Sequence, residues 1–498
     1  MQSVLLAGLI LLAPAQGAGP DISVAAPSGL PAQVQRALDQ AGVAAGNSAF
    51  VVTPLDGGAL QLALHEKMPM NPASTMKLVT TYAALATLGP DFRWRTQAFA
   101  SRAPVAGRLD GDLIFRGGGD PSLVIERWWL LIQRIRALGI RDIRGDLVVD
   151  RSAYENNVEA GATIDGNDLR PYNVAPDALL INFKALSLEF VPDPTAGVAR
   201  IVPTPVLDGV HLPTQVPLVA GACGDWKTRL RADFSQAHKP LLHGSYAASC
   251  GMQTWHVSLL SPDEYALASF RALWRASGGS FHGGVRRGLV PAKAIALATQ
   301  ESPPLAQVIR DINKNSNNVM ARQLFLTLGA ATAGSQGSGP DPAAVNDDDA
   351  VASAAQNQPT APANTERSIH AVQAWLQQVG LPTPELVLQN GSGLSRQERI
   401  SAGSLAQLLV HAWNSADMPN FLASLPLAGV DGTMKKRSGA AHAAYIKTGY
   451  LTEVRAVAGY VFAASGHRYA VVALINDPNA AGAQAAHDEF LQWVRERG

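Results

Sequence analysis

Ser74 and Lys77 stand three residues apart in the stretch Asn71-Pro72-Ala73-Ser74-Thr75-Met76-Lys77. Residues i and i+3 share one face of a helix, so a helical turn here would set the amine beside the hydroxyl. A serine hydroxyl is a poor nucleophile until a base takes its proton, and a desolvated amine can do that. Two further triplets carry compatible groups. Ser316-Asn317-Asn318 offers a hydroxyl and a carboxamide, and Lys447-Thr448-Gly449 offers a second amine with a hydroxyl beside it. Alone, the first motif would be an ordinary helix start with a solvated lysine, and the second a polar helix turn or cap. All three in one chain point to a serine activated for acyl transfer.

The elements that would position these groups are legible in outline. Pro72 suits a first helical turn. Leu78, Val79, Tyr82, Ala83, Leu85 and Ala86 follow before Gly89-Pro90 ends the helix. Apolar residues cover nearly its whole circumference, which predicts burial in a domain core. Ser74 would then sit at a helix N-terminus, where backbone N–H groups face a developing oxyanion. Upstream, Leu30 to Val43 is helical in pattern. Ala49 to Val52 and Ala59 to Leu64 read as a hairpin around Asp56-Gly57-Gly58. Pro304 to Leu328 reads as helical and carries Ser316 and Asn318. A helix over Arg367 to Val379 precedes the tight loop Asn390-Gly391-Ser392-Gly393-Leu394-Ser395. Strands are predicted over Ala444 to Lys447, Val454 to Phe462 and Tyr469 to Ile475. A last helix follows, with Ala486, Phe490, Trp493 and Val494 on one side.

Ser74 and Ser316 are 242 positions apart, so one catalytic domain is split by a large insertion. From about residue 95 short strand-like runs (Leu113 to Phe115, Leu147 to Val149) alternate with Gly-rich and Asp-rich turns. Glu126 to Leu138 reads as a helix, and residues 195–290 are strand-rich. Arg116-Gly117-Gly118-Gly119-Asp120-Pro121 lacks the Gly-Lys-Ser/Thr of a phosphate loop and reads as a tight turn at a domain junction. Ala331 to Glu366 is low-complexity. Its composition predicts a disordered surface insertion, because it cannot bury enough apolar surface to offset its ordering entropy. Its acidic run Asp347-Asp348-Asp349 lacks the spacing of a calcium loop.

A chain of 498 residues implies two to four domains. Lys+Arg and Asp+Glu balance at 40 each, and no basic tract interleaves with aromatics, which excludes a general nucleic-acid binder. Val4 to Leu12 is an apolar run followed by small residues, which predicts a secretory signal over residues 1–18 cleaved after Gly17 or Ala18. No Lys or Arg precedes the run, a departure from the usual signal. The run is too short for a membrane span, and no other stretch is long enough. Cys223 and Cys250 are the only cysteines. In an exported chain two cysteines are expected to pair, with two buried free thiols as the alternative. His65-Glu66 lacks the second His of a zinc helix, and no metal is expected.

The three motifs are those of penicillin-recognising serine enzymes, in their order. The chain resembles the D-alanyl-D-alanine carboxypeptidase/endopeptidase family, the class C low-molecular-mass penicillin-binding proteins. The resemblance is carried by Pro72 to Lys77, Asn315 to Asn318, Asn390 to Ser395, Ala428-Gly429-Val430-Asp431-Gly432-Thr433, and Lys447-Thr448-Gly449 running on into Val454 to Tyr460. It covers residue 30 to the C-terminus, and the long insertion is itself a family feature. Asn390 stands where the family usually has Asp, and the 331–366 insertion is longer than usual.

The resemblance implies an α/β (α+β) fold, with a helical cluster and a five-stranded antiparallel sheet in the catalytic domain (22–95 and 295–498). Two strand-rich domains would fill the insertion, one at 96–124 and 207–294 and one nested at 125–206. It implies an acyl-enzyme on Ser74, with Lys77 as base, Ser316 as proton relay, and Asn318 on the substrate backbone or on Lys77. Lys447, with Thr448 and Gly449, would meet the terminal carboxylate, and the N–H groups of Ser74 and Tyr450 would form the oxyanion hole. Asp168, in Gly166-Asn167-Asp168-Leu169, would read the ammonium of the substrate's third residue; its plainer reading is a surface loop. The implied partners are peptidoglycan stem peptides and β-lactams, the location is periplasmic, and no cofactor is needed. A β-lactamase and a non-catalytic wall-binding scaffold are the rival readings.

Overall fold

The computed structural model describes residues 29–155, 169–331 and 362–498. The expected signal segment, Asp168 and most of the low-complexity stretch lie outside the described residues.

The catalytic sheet has five antiparallel strands, in the order Leu62–Leu64, Ser48–Pro54, Arg468–Asn476, Val454–Phe462, Ala444–Leu451. The returning strand of the N-terminal hairpin is shorter than the expected Ala59 to Leu64. Side chains alternate across a strand, and here both faces are buried. Phe50, Val52, Ile446, Val457, Val471 and Ala473 face one core, shared with the terminal helices Ala32–Ala41 and Gln484–Arg497. Ala49, Val51, Ala456, Ala458, Val472 and Leu474 face the other, with the helical cluster. Double-sided burial explains why the central strands read as continuous apolar runs rather than alternating ones.

The helical cluster is centred on Lys77–Leu88, whose residues from Lys77 to Leu85 are all buried, as its apolar circumference predicts. Tyr82 anchors it. Its ring meets Trp375 edge-on at 5.3 Å and Phe421 at 5.2 Å, and its hydroxyl lies 2.6 Å from His411 Nδ1. The predicted helix over Pro304 to Leu328 is two helices, Leu305–Asn315 and Asn318–Ala331, broken at Ser316. The next helix is Thr365–Gln378, started by the Asn364 side chain accepting the Arg367 N–H. Thr365 and Glu366 are therefore helical and do not belong to the low-complexity insertion. Ala363 is also part of the fold. It is fully buried and bridges to Tyr154, with backbone hydrogen bonds to Ala153 and Glu155.

The insertion builds two more five-stranded sheets. The first runs Val285–Arg287, Leu147–Asp150, Leu113–Arg116, Arg95–Ala100, Ile295–Glu301. The helices Ile125–Ala137 and Pro262–Ala276 share its core through Trp128, Ile132, Phe270 and Trp274. The second runs Tyr246–Ala247, Gln215–Val219, Val198–Thr204, Leu186–Asp193, Gln253–Val257. This pairing groups residues differently from the expected 125–206 division. Leu147–Asp150 runs parallel to Leu113–Arg116, and Gln253–Val257 pairs with Leu186–Asp193. In the Gly-rich loop the Gly117 N–H donates to Asp150 O at 3.0 Å and the Gly119 N–H to Ala178 O at 2.8 Å. The expected disulfide is present: Cys223 bonds Cys250, with 4.7 Å between their Cα atoms. Among the described residues no helix is long and apolar enough to cross a membrane.

Candidate active site

Ser74 lies in a 3-10 turn, Ala73–Met76, that leads straight into Lys77–Leu88. The turn is held from three sides. Asn71 Oδ1 accepts the Ala73 N–H at 2.8 Å, and Asn71 Nδ2 donates to Ser395 O at 2.8 Å. Asn476, at the end of a central strand, exchanges two hydrogen bonds with the Asn71 backbone at 2.7 and 2.9 Å. Ala73 takes a left-handed backbone (φ 44°), a conformation costly for alanine that the surrounding contacts enforce. Neither Asn71 nor Asn476 was singled out from the sequence, although Asn71 opens the motif stretch.

Lys77 is fully buried. Its Nζ lies 3.0 Å from Ser74 Oγ, donates to Asn318 Oδ1 at 2.6 Å and donates to Ser392 O at 2.5 Å. Burial is the main force holding its pKa well below the usual lysine range; the charge of Lys447 acts the same way and Glu398 opposes it. A neutral amine has two N–H bonds and one lone pair. Asn318 and Ser392 take the two N–H bonds, which leaves the lone pair for the serine hydroxyl.

Ser392 belongs to the loop Asn390 to Ser395. Gly393 (φ 78°) lets this loop touch the nucleophile turn, because a Cβ there would fall 1.8 Å from Ala73 O. The sequence marks this loop as tight but says nothing of its grip on Lys77.

Ser316 occupies the left-handed turn between two helices (φ 54°), and its Oγ lies 3.0 Å from Lys447 Nζ. Lys447, on the edge strand, is also fully buried. Burial brings its pKa down to about 7. Lys447 Nζ also donates to Thr448 O at 2.7 Å. The strand can run this close to the nucleophile turn because position 449 is glycine; a Cβ there would lie 2.6 Å from Pro72 O.

The 428–433 stretch closes the far side. Lys314 Nζ pairs with Asp431 at 2.6 Å, and Thr433 Oγ1 meets Thr448 Oγ1 at 2.8 Å. Tyr450 leaves its ring exposed, with the Arg455 guanidinium 3.6 Å above it. Its backbone matters more. The Ile446 N–H donates to Pro426 O at 2.8 Å, away from the neighbouring strand. Two-residue alternation turns the Tyr450 N–H the same way, toward the open edge beside the serine.

The structure thus brings Ser74, Lys77 and Asn318 together, sets Ser316 on Lys447, and lays the Lys447-Thr448-Gly449 strand against the nucleophile turn. Asp168 lies outside the described residues. Glu398, fully buried beneath the 390–395 loop, was not singled out from the sequence.

Comparison with known proteins gives the family of the chain and a matching fold. A profile of the D-Ala-D-Ala carboxypeptidase 3 (S13) family matches residues 30–348 and 348–497. The chain belongs to this family. It is 27% identical over 420 residues to the D-alanyl-D-alanine carboxypeptidase DacB of Haemophilus influenzae, covering 82% of this chain and 80% of that one. It is 28% identical over 414 residues to a D-alanyl-D-alanine carboxypeptidase of Actinomadura sp. (strain R39), covering 78% and 70%. In fold it matches the crystal structure of penicillin binding protein 4 from Haemophilus influenzae with a TM-score of 0.72 at 22% identity, over 93% of this chain and 99% of that one.

Proposed function

We propose that this chain is an exported serine-type D-Ala-D-Ala carboxypeptidase, with DD-endopeptidase action, on peptidoglycan stem peptides. The observation that carries the reading is the Lys77 amine, dry and held by two acceptors, 3.0 Å from Ser74 Oγ. The Ser74 hydroxyl gives its proton to Lys77 as its oxygen attacks the carbonyl carbon between two D-alanines. The backbone N–H groups of Ser74 and Tyr450 hold the oxyanion. As the C–N bond breaks, Ser316 passes a proton to the leaving amine, with Lys447 behind it at 3.0 Å. Thr448 and Thr433, 2.8 Å apart, face the terminal carboxylate, which the Lys447 charge also attracts. Water then attacks the acyl-enzyme and frees Ser74. Asp168 is the proposed partner of the ammonium on the third residue.

The same serine would open a β-lactam ring, and one relative of similar fold is described in complex with a β-lactam. The test is Ser74→Ala. The variant should fold, lose labelling by a fluorescent penicillin, and release no D-alanine from muropeptides. Labelling that survives the substitution would sink the reading, and rapid steady turnover of nitrocefin by the wild type would favour a β-lactamase instead.

A further inference from the structure

Glu398 is fully buried, yet it is not paired with any arginine or lysine through a direct contact among the described residues. Its Oε1 accepts three backbone N–H groups, from Gln389 (3.2 Å), Asn390 (3.0 Å) and Gly391 (3.1 Å). Three N–H donors on one oxygen suit a carboxylate ion rather than a neutral acid. The segment held in this way is the one that reaches Lys77. Gly391 O accepts the Thr80 hydroxyl at 2.6 Å, and Ser392 O accepts Lys77 Nζ. Asn390, which starts the loop, is neutral and uses its Oδ1 on Ser392, accepting from N at 3.0 Å and from Oγ at 2.7 Å. Beneath this loop the group able to carry a negative charge is therefore Glu398 rather than residue 390.

We propose that Glu398 is a positioning residue for the acylation step: its buried carboxylate holds residues 389–392 in register against Lys77 and supplies the charge that offsets the proton Lys77 receives from Ser74. The inference rests on the reading of Ser74 and Lys77 as nucleophile and base. Two charged groups act on Lys77, Lys447 from the edge strand and Glu398 from beneath the loop, with opposite signs. Burial, the largest influence, leaves the Glu398 carboxyl above its usual range, with the three N–H groups and Lys77 acting against it. Moving a proton onto Lys77 beside Lys447 would gather positive charge in a dry site, and Glu398 opposes that cost.

The test compares wild type, Glu398→Gln and Glu398→Ala in the full chain, with benzylpenicillin acylation rates across pH and thermal melting. Glutamine keeps an acceptor oxygen in place and removes the charge. Its melting temperature should stay near wild type, its acid limb should move to lower pH, and its plateau rate should fall roughly tenfold as Lys77 becomes a weaker base. Alanine should lose the loop as well, with a larger fall in rate and a lower melting temperature. A Glu398→Gln protein with the wild-type limb and rate overturns the proposal. So does one that cannot fold, because the residue's role would then be structural. If the wild type itself is not acylated, the Ser74 reading fails instead, so the two failures are distinguishable.

Discussion

Lys447 Nζ lies 3.0 Å from Ser316 Oγ, although 131 positions separate them in the chain. The contact joins the edge strand of the sheet to the turn between two helices of the cluster. It therefore ties the sheet half of the catalytic domain to the helical half. Both partners are held by special local structure, a left-handed backbone at Ser316 and a fully buried stem at Lys447.

Lys447 should make stability depend on pH. Its folded pKa, about 7, lies below the usual 10.5, so between these values the unfolded chain binds the extra proton. Stability then rises with pH across that window, by up to about 1.4 kcal/mol per unit from this group. Lys77 is pushed the same way and adds to the trend. Lys447→Met removes one of the two amines. Its melting temperature should gain more over wild type at pH 6 than at pH 9, while acylation falls. Equal differences at the two pH values would show that Lys447 is not desolvated as described.

Asn318→Asp should move catalysis the opposite way from Glu398→Gln. A carboxylate at 2.6 Å from Lys77 Nζ favours the ammonium, which cannot take the serine proton. The acid limb of penicillin acylation should shift to higher pH, with a fall on the order of 100-fold at pH 7. Asn318→Ala should slow acylation without that upward shift. Rate constants for a fluorescent penicillin across pH measure both, and an unmoved limb in Asn318→Asp would remove Lys77 as the base.

Deleting residues 334–361 should leave the melting temperature and the acylation rate near wild type. The segment lies between motifs and is poor in the apolar residues a core requires. The deletion must stop before Pro362, because Ala363 bridges to Tyr154 and Asn364 starts the next helix. A deletion extended through Asn364 should lower the melting temperature, since it removes a buried residue and a cap. Differential scanning calorimetry of the two deletions separates these outcomes.

The parts of the site that are legible in sequence are the local ones. Ser74 and Lys77 are one helical turn apart, so backbone geometry alone brings them together. The apolar circumference of Lys77–Leu88 announces the burial that lowers the amine's pKa. The central strands are readable because both faces need apolar side chains. Ser316 is harder, because the flanking pattern is helical throughout and nothing in it marks the left-handed break that presents the hydroxyl. The division of the insertion is not legible for a related reason. Leu147–Asp150 pairs with two strands from distant segments, and short parallel pairings leave no local signature.

The sequence by itself determined the chemistry available: one serine nucleophile, two lysines, an asparagine and a second serine, at spacings a chain of this kind can bring together. Local helical geometry already pairs Lys77 with Ser74; only the tertiary structure decided that Lys447 serves Ser316, 131 positions away. It also decided that Glu398 faces inward, that Asn71 and Asn476 hold the nucleophile turn, and that Ser392 O accepts from Lys77. Such roles depend on desolvation and on acceptors hundreds of residues away, and neither quantity is a property of a residue's neighbours in sequence.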